Sequence, residues 1–92
     1  MSKQIDSISF VVRGKNRRDV LKILGKHALL RQADVARHTK MYLTHARRTL
    51  IELEKENLVK CLNSDATQGK LYQITSKGKV VARELDKMYG SG

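Results

Sequence analysis

The apolar residues recur at helical spacing through most of the chain, most clearly within residues 32–53. Ala46, Leu50 and Leu53 follow one another at intervals of four and three, which places them on one face of a helix. A shorter helix, with the apolar face Ala33-Val35-Ala36, precedes them. The pattern therefore predicts a helix, a turn and a longer helix that pack together through their apolar faces.

The longer helix, predicted over residues 42–56, differs in charge between its two halves. Its C-terminal half carries Glu52, Glu54 and Glu56, whereas its N-terminal half carries basic residues. This order is typical of a helix that meets phosphates with its N-terminal half, where the backbone dipole also favours anions. The face opposite the apolar stripe suits entry into a DNA major groove. The predicted contact residues are Tyr42, Leu43, Thr44, His45, Arg47 and Arg48.

The N-terminal segment shows a different pattern. Within residues 5–13, the apolar residues Ile8, Phe10 and Val12 alternate with other side chains, and β-branched residues are frequent. This alternation predicts a short strand with one buried face. A break at Gly14 separates it from the next element.

A helix is predicted at Arg17–Leu24, with Asn16 as its N-cap and Gly25 as its C-cap. Leu29-Leu30 is expected to anchor the following link in the core. Arg31 and Gln32, at the start of the next helix, occupy the usual place for contacts with the DNA backbone.

Two apolar segments beyond residue 57 predict a β-hairpin. Residues 58–63 alternate, and residues 71–74 form a second short run. The polar, glycine-containing residues 64–70 between them predict a hairpin loop, which after a helix-turn-helix corresponds to the wing of a winged helix. Gln68 and Lys70 of this loop are candidates for contacts with phosphates or the minor groove.

The last predicted element is a helix over residues 76–89 that Thr75 caps. Gly78 near its start indicates a close approach of helix to sheet. Residues 90–92, Gly-Ser-Gly, are predicted to be a frayed end. The apolar stripe of the helix consists of Val81, Leu85, Met88 and Tyr89. Together the elements predict a single domain, residues 1–92, of the α+β class and mainly α.

The charge of the chain limits the classes of partner that it is expected to bind. Nineteen Lys and Arg against nine Asp and Glu give a net charge of +10, which favours a polyanion such as nucleic acid. Lys15, Arg17 and Arg18 form a basic cluster that faces either DNA or solvent. The single cysteine, Cys61, excludes an internal disulfide and fits an intracellular, cytoplasmic protein. No apolar run is long enough to cross a membrane.

The sequence gives no support for catalysis or for a cofactor. It contains no nucleophile–base motif, no glycine-rich phosphate loop and no metal-ligand spacing among its three histidines and Cys61. A non-enzymatic protein without a metal or cofactor is therefore expected, and any small-molecule effector stays unknown.

Residues 34–63 and 69–79 resemble small archaeal winged-helix repressors related to MarR and ArsR. The Val35-Ala36 pair, the Glu56–Val59 phrase and the Tyr72–Gly78 phrase carry the resemblance. It implies a winged helix-turn-helix made of a strand, three helices, a two-stranded wing and a C-terminal helix. It also implies a homodimer that is joined through the terminal helix, with Val81, Leu85, Met88 and Tyr89 at the interface. A second interpretation stays open, in which Val81, Leu85 and Met88 only cover the core of their own subunit.

The resulting hypothesis is a sequence-specific regulator of transcription, acting as a repressor, that binds double-stranded DNA. The helix at 42–56 reads the major groove in this hypothesis, and the wing near 63–70 flanks it. The same charge leaves two alternatives open: a non-specific chromatin-type or RNA-binding protein, and a winged helix that binds other proteins.

Overall fold

A computed structural model describes the backbone of residues 3–89 and the side chains of residues 7–89. Residues 90–92, the predicted frayed end, lie outside this range. The described chain is mainly helical, with one small sheet, and the predicted α+β winged-helix class is confirmed. Its elements are α1 (Lys3–Val12), α2 (Lys15–His27), β1 (Leu29–Arg31), α3 (Gln32–Thr39), α4 (Leu43–Lys55), β2 (Val59–Cys61), β3 (Leu71–Ile74) and α5 (Ser76–Tyr89).

The sheet has the strand order β1-β3-β2, and both pairings are antiparallel. The predicted hairpin is confirmed as β2 and β3, with Lys60 opposite Gln73. The segment expected only to anchor a link forms the third strand, β1, in which Leu30 lies opposite Tyr72. Three residues are too few to show a period of their own, so β1 depends on its long-range partner, β3.

The strand predicted at residues 5–13 is wrong, because this segment lies in helix α1. Ser7 and Val11, four residues apart, are completely buried, whereas the alternating Ile8, Phe10 and Val12 are only half-buried. The helix packs against α2 and α5. Tertiary packing of a helical face therefore outweighs the β-propensity of the sequence.

Helix α2 extends beyond its predicted bounds at both ends. Gly14, and not Asn16, is the N-cap, and the helix continues to His27, with Ala28, whose φ is 66°, as its C-cap. Gly25 lies inside the helix, which continues to His27, and it faces α5: a Cβ at this position would come 3.4 Å from the Cβ of Ala82. The glycine thus marks a helix crossing and not the predicted C-cap.

The junction between α4, the sheet and α5 follows the predicted chemistry. Asn57 adopts a left-handed conformation, with φ 62°, and turns the chain from α4 into β2. Thr75 caps α5 by accepting a hydrogen bond from the Gly78 N–H at 2.9 Å. Gly78 faces the Leu58 carbonyl so closely that any Cβ would overlap it, which confirms the predicted close approach.

Candidate nucleic-acid interface

The orientation of α4 is set by its apolar face. Ala46, Leu50 and Leu53 are completely buried, and the helix packs against α2, α3 and β2. Tyr42 precedes the first helical residue and is its N-cap, so the helix starts one residue later than predicted. The six predicted contact residues are all exposed: Tyr42, Leu43, Thr44, His45, Arg47 and Arg48.

The first turn of α4 has local contacts of its own. The Tyr42 ring meets the His45 ring edge-on, with 5.8 Å between the ring centroids. The tyrosine side chain is nevertheless 80% exposed and leaves the helix N-terminus uncapped. The free N–H groups of this turn, together with the Tyr42 hydroxyl, can therefore donate hydrogen bonds to an anion.

Arg47 and Arg48 project from the exposed side of the same helix. Within residues 7–89, neither guanidinium forms an ion pair or a side-chain hydrogen bond. A free guanidinium fork can bind a phosphate or the edge of a guanine. The two arginines border different clefts on opposite sides of α4.

The first cleft brings together segments that lie far apart in sequence. It has a volume of about 440 Å³ and lies between α3, α4 and the wing. Three cations contribute to its walls, and each was predicted separately to contact DNA. The predicted residues that line it are Arg31, Gln32, Leu43, Arg47, Gln68 and Lys70.

Gln32 differs from its neighbours in this cleft. Its backbone N–H donates to the Lys70 carbonyl at 2.9 Å and so ties α3 to the root of the wing. The side chain is only 7% exposed, and its Oε1 atom has no hydrogen-bond partner among the described side chains and backbone. Its predicted contact with DNA stays a prediction, and its position makes it a structural link as well.

The wing loop is closed at its base by Asn63. Its Oδ1 accepts a hydrogen bond from the Leu71 N–H at 2.8 Å, and its Nδ2 donates to the Gly69 carbonyl at 3.2 Å. Gly69 has a φ of 66°, which favours glycine. Gln68 is exposed and Lys70 half-buried. The loop therefore presents both predicted side chains from a fixed base.

A second cleft, of about 450 Å³, lies on the other side of α4, against the corner between α1 and α2. Arg13 and Asn16 line it together with His45 and Arg48. Sequence reasoning did not select Arg13 or Asn16 as contact residues. The signal was the basic run over residues 13–18, but only the fold places that run beside α4.

The basic cluster in this corner is held by contacts within the chain. Arg17 donates to the Phe10 carbonyl at 2.8 Å and to a carboxylate oxygen of Glu52 at 3.1 Å. Arg18 donates to the Val12 carbonyl. Both arginines thus satisfy carbonyls at the C-terminus of α1. Lys15 pairs with Asp19 at 2.8 Å but stays exposed.

The predicted dimer surface on α5 is reduced by the fold. Val81 and Leu85 pack in the core of their own chain and are 0% and 5% exposed. Their assignment to an exposed dimer surface is therefore corrected: Val81 and Leu85 belong to the hydrophobic core of their own chain. Met88 and Tyr89 are more than half exposed, and the predicted dimerisation through them stays a prediction.

Other chemistry has little support within the described residues. His27 and His38 lie with ring centroids 4.8 Å apart, but no three potential metal ligands converge in the described part of the chain. Cys61 is half-buried in β2. Among residues 3–89, no helix has the length and apolar character needed to span a membrane.

The described structure is similar to that of a known regulator. It superimposes on the crystal structure of NadR, a MarR-family protein in complex with 4-hydroxyphenylacetate, with a TM-score of 0.72 and 18% sequence identity. The match covers 96% of this chain and 69% of the NadR chain. No profile of a protein family and no curated protein matches the sequence. At this identity the similarity establishes the winged-helix fold.

Proposed function

We propose that this protein is a regulator of transcription that binds double-stranded DNA in a sequence-specific manner through α4. The observation that carries the proposal is the exposure of the N-terminal half of α4, whose opposite face is buried. Such a helix can enter a major groove without disturbing the core. The similarity in fold to NadR, a MarR-family regulator, also supports the proposal.

In this proposal the exposed side chains have two roles, contact with base edges and contact with the DNA backbone. Arg47, Arg48, Thr44 and His45 face the groove and contact base edges, because guanidinium, hydroxyl and imidazole groups match the donors and acceptors there. The helix start and the wing bind the backbone on either side, which positions the protein without reading sequence. The residues in this second role are Arg31, Tyr42, Gln68 and Lys70.

The protein acts as a homodimer in this proposal. Met88 and Tyr89 at the end of α5 supply exposed apolar surface for the contact. Two-fold symmetry then demands a pseudo-palindromic operator whose half-sites are about one helical turn, ~34 Å, apart. Occupation of such a site represses transcription by excluding the polymerase.

The charge also favours a second candidate, a non-specific chromatin-type protein. A net charge of +10 on 92 residues favours salt-dependent binding to any duplex, whatever its sequence. The two candidates differ in their specificity ratio, since specific regulators bind their site about 10³–10⁷ times more tightly than other DNA.

Selection from a pool of random duplexes, performed at low and at physiological salt, distinguishes them. The proposed regulator enriches a pseudo-palindromic motif, and enrichment persists at the higher salt because base contacts depend less on counterion release. A pool that stays random at both salt concentrations, despite strong binding, supports the chromatin-type candidate. Absence of binding even at low salt supports a protein-binding winged helix and contradicts both.

A further inference from the structure

A second basic surface lies between α2 and α5, and no part of the proposed function uses it. This surface, here called the back groove, has a volume of about 280 Å³. Its cations are Lys22 and Lys26 of α2 and Lys79 and Arg83 of α5, and Asp86 is the one acidic residue among the lining side chains. All four cations are exposed.

The back groove lies on the side of α2 that is turned away from α4. Arg17 of α2 contacts Glu52 of α4. Lys26 follows nine residues later, and at about 100° per residue this places it on the opposite side of the helix. Helix α5, which forms the other wall, packs against α1, α2 and β3, whereas α4 packs against α2, α3 and β2.

The four cations lie close together, and Asp86 alone among the described lining residues carries an opposing charge. Within residues 7–89, none of them takes part in an ion pair. Helices α2 and α5 pack against each other, with Gly25 near Ala82, so the two pairs of cations line one groove. Like charges gathered in this way repel one another, so the cluster gains most from an anion with several charges.

The remaining lining of the groove indicates which kind of polyanion fits. None of the described residues that line it has an aromatic side chain on which unpaired bases could stack. In the described part of the chain, Ala82 is the only apolar side chain that lines the groove, so the groove lacks the apolar anchors of a protein interface or of a membrane-binding surface. Exposed Lys and Arg without apolar anchors suit the evenly spaced phosphates of a duplex.

We propose that the back groove binds the phosphate backbone of a second DNA duplex, so that one molecule can hold two duplexes. The binding is independent of sequence because no group in the groove is placed to read a base. The bridging rests on the proposed DNA contact at α4, whereas the duplex contact of the back groove does not.

A capture assay with two matched variants tests this proposal. The back variant carries Lys22→Gln, Lys26→Gln and Lys79→Gln. The control variant carries Lys55→Gln, Lys60→Gln and Lys87→Gln, three exposed lysines outside the groove. An immobilised duplex that bears bound protein is offered a second, labelled duplex. The wild type and the control variant are expected to capture the labelled duplex. The back variant is expected to capture at least about tenfold less of it.

Capture that falls equally in the two variants overturns the proposal, since net charge alone would then explain it. Capture that the back variant retains also overturns it. Thermal unfolding of the back variant is expected at or above the wild-type temperature, because repulsion within the groove is relieved. Preference for a labelled single strand over the duplex contradicts the proposed partner.

A third variant, Arg47→Ala with Arg48→Ala, separates this proposal from the function proposed for α4. Its back groove is intact, so it is expected to bind one duplex in a sequence-independent and salt-sensitive manner while it loses capture of the second. If this variant keeps wild-type affinity and sequence preference, the proposed DNA contact at α4 is wrong, whereas the proposed duplex contact of the back groove is not contradicted. If bridging depends on the α4 arginines and not on the back groove, a dimer with two α4 faces explains it and the present proposal is wrong.

Discussion

The chain contains two Arg-Arg pairs that look alike in sequence and differ completely in the structure. Arg17 and Arg18 bind the carbonyls of Phe10 and Val12 at the end of α1. Arg47 and Arg48 have no such partners within the described side chains and project from α4. One pair therefore holds two helices together, and the other is free to bind a ligand.

The difference comes from what lies next to each pair. The first pair occupies the first turn of α2, directly after a tight corner, so it reaches the carbonyls that α1 leaves without partners. The second pair lies on the exposed face of a helix whose other face is in the core. Arg17 also stacks on the Phe10 ring, with its guanidinium carbon 3.9 Å from the ring centroid. A basic pair in a sequence can thus be assigned to an exposed binding surface only when the positions of the helix ends are known, because free carbonyls at a helix end can bind the same side chains.

Removal of the free pair is expected to have the largest effect on DNA binding. Each bidentate contact with a base contributes about 1–3 kcal/mol of discrimination, so the variant Arg47→Ala with Arg48→Ala loses about 100-fold or more in affinity for a selected operator. Its free energy of unfolding is expected to stay within about 0.5 kcal/mol of the wild type, because both side chains are exposed. Quantitative binding on the selected duplex and urea denaturation measure the two quantities.

Arg48→Lys is the matched control, since it keeps the charge and loses the planar fork. It is expected to keep affinity for random DNA and to lose preference at one base pair. A loss of affinity that is the same for every sequence would assign Arg48 to the phosphates instead.

The sequence predicts the C-terminal half of the fold better than the N-terminal half. Residues 71–74 and 76–89 form the predicted strand and helix. Both are predicted by local signals, a short apolar run and an amphipathic stripe, and Thr75 marks the boundary between them. The prediction fails at α1, where Ser7 and Val11 supply the buried face and the visible alternation does not. It also misses β1, whose formation depends on β3.

The candidate site shows the same division. The exposed face of α4 follows from its own periodicity, so residues 42–48 could be selected from sequence. Two other features could not be predicted from sequence, because both depend on how α2 packs on α4. They are the contact of Arg17 with Glu52, 35 residues away, and the placement of Arg13 at the same cleft as Arg48. The back groove is of this second kind, since its cations come from helices separated by the whole winged motif.

Removal of the engaged pair is expected to reduce stability and to leave the DNA-binding face intact. Arg17→Ala leaves the Phe10 carbonyl and Glu52 without their partner. We expect the free energy of unfolding to fall by about 1–2 kcal/mol, toward the lower part of the range for charged hydrogen bonds because the ion pair is partly open to water. Urea denaturation measures this change.

The control for this prediction is Arg37→Ala, which removes an exposed arginine paired with Asp34 three residues away. Exposed pairs of this type contribute little, about 0–1 kcal/mol. If Arg17→Ala is no more destabilising than Arg37→Ala, or if it weakens DNA binding while stability is unchanged, the contrast between the two arginine pairs is wrong.

The smallest expected effect is that of Arg47 on the pKa of a buried tyrosine, Tyr72. Tyr72 is buried in β3, and this burial raises the pKa of its hydroxyl above the ordinary value of 10.0, with further contributions from Cys61 and Glu54. The positive charge of Arg47 opposes the shift and lowers this pKa. Arg47 therefore acts on the core electrostatically although its side chain is exposed.

The sign of the effect on stability follows from the raised pKa. Above pH 10.0 an unfolded tyrosine loses its proton while the folded Tyr72 retains it, so the free energy of unfolding falls as the pH rises to the folded pKa. In Arg47→Ala the folded pKa is higher, so this fall continues to higher pH. Absorbance of tyrosinate, in a background with Tyr42→Phe and Tyr89→Phe, reports the titration of Tyr72 alone. Arg48→Ala is the control, because it removes the same charge from the other side of α4, where Arg48 borders a different cleft. An identical Tyr72 titration in the two arginine variants would mean that Arg47 is as remote from the core as its neighbour.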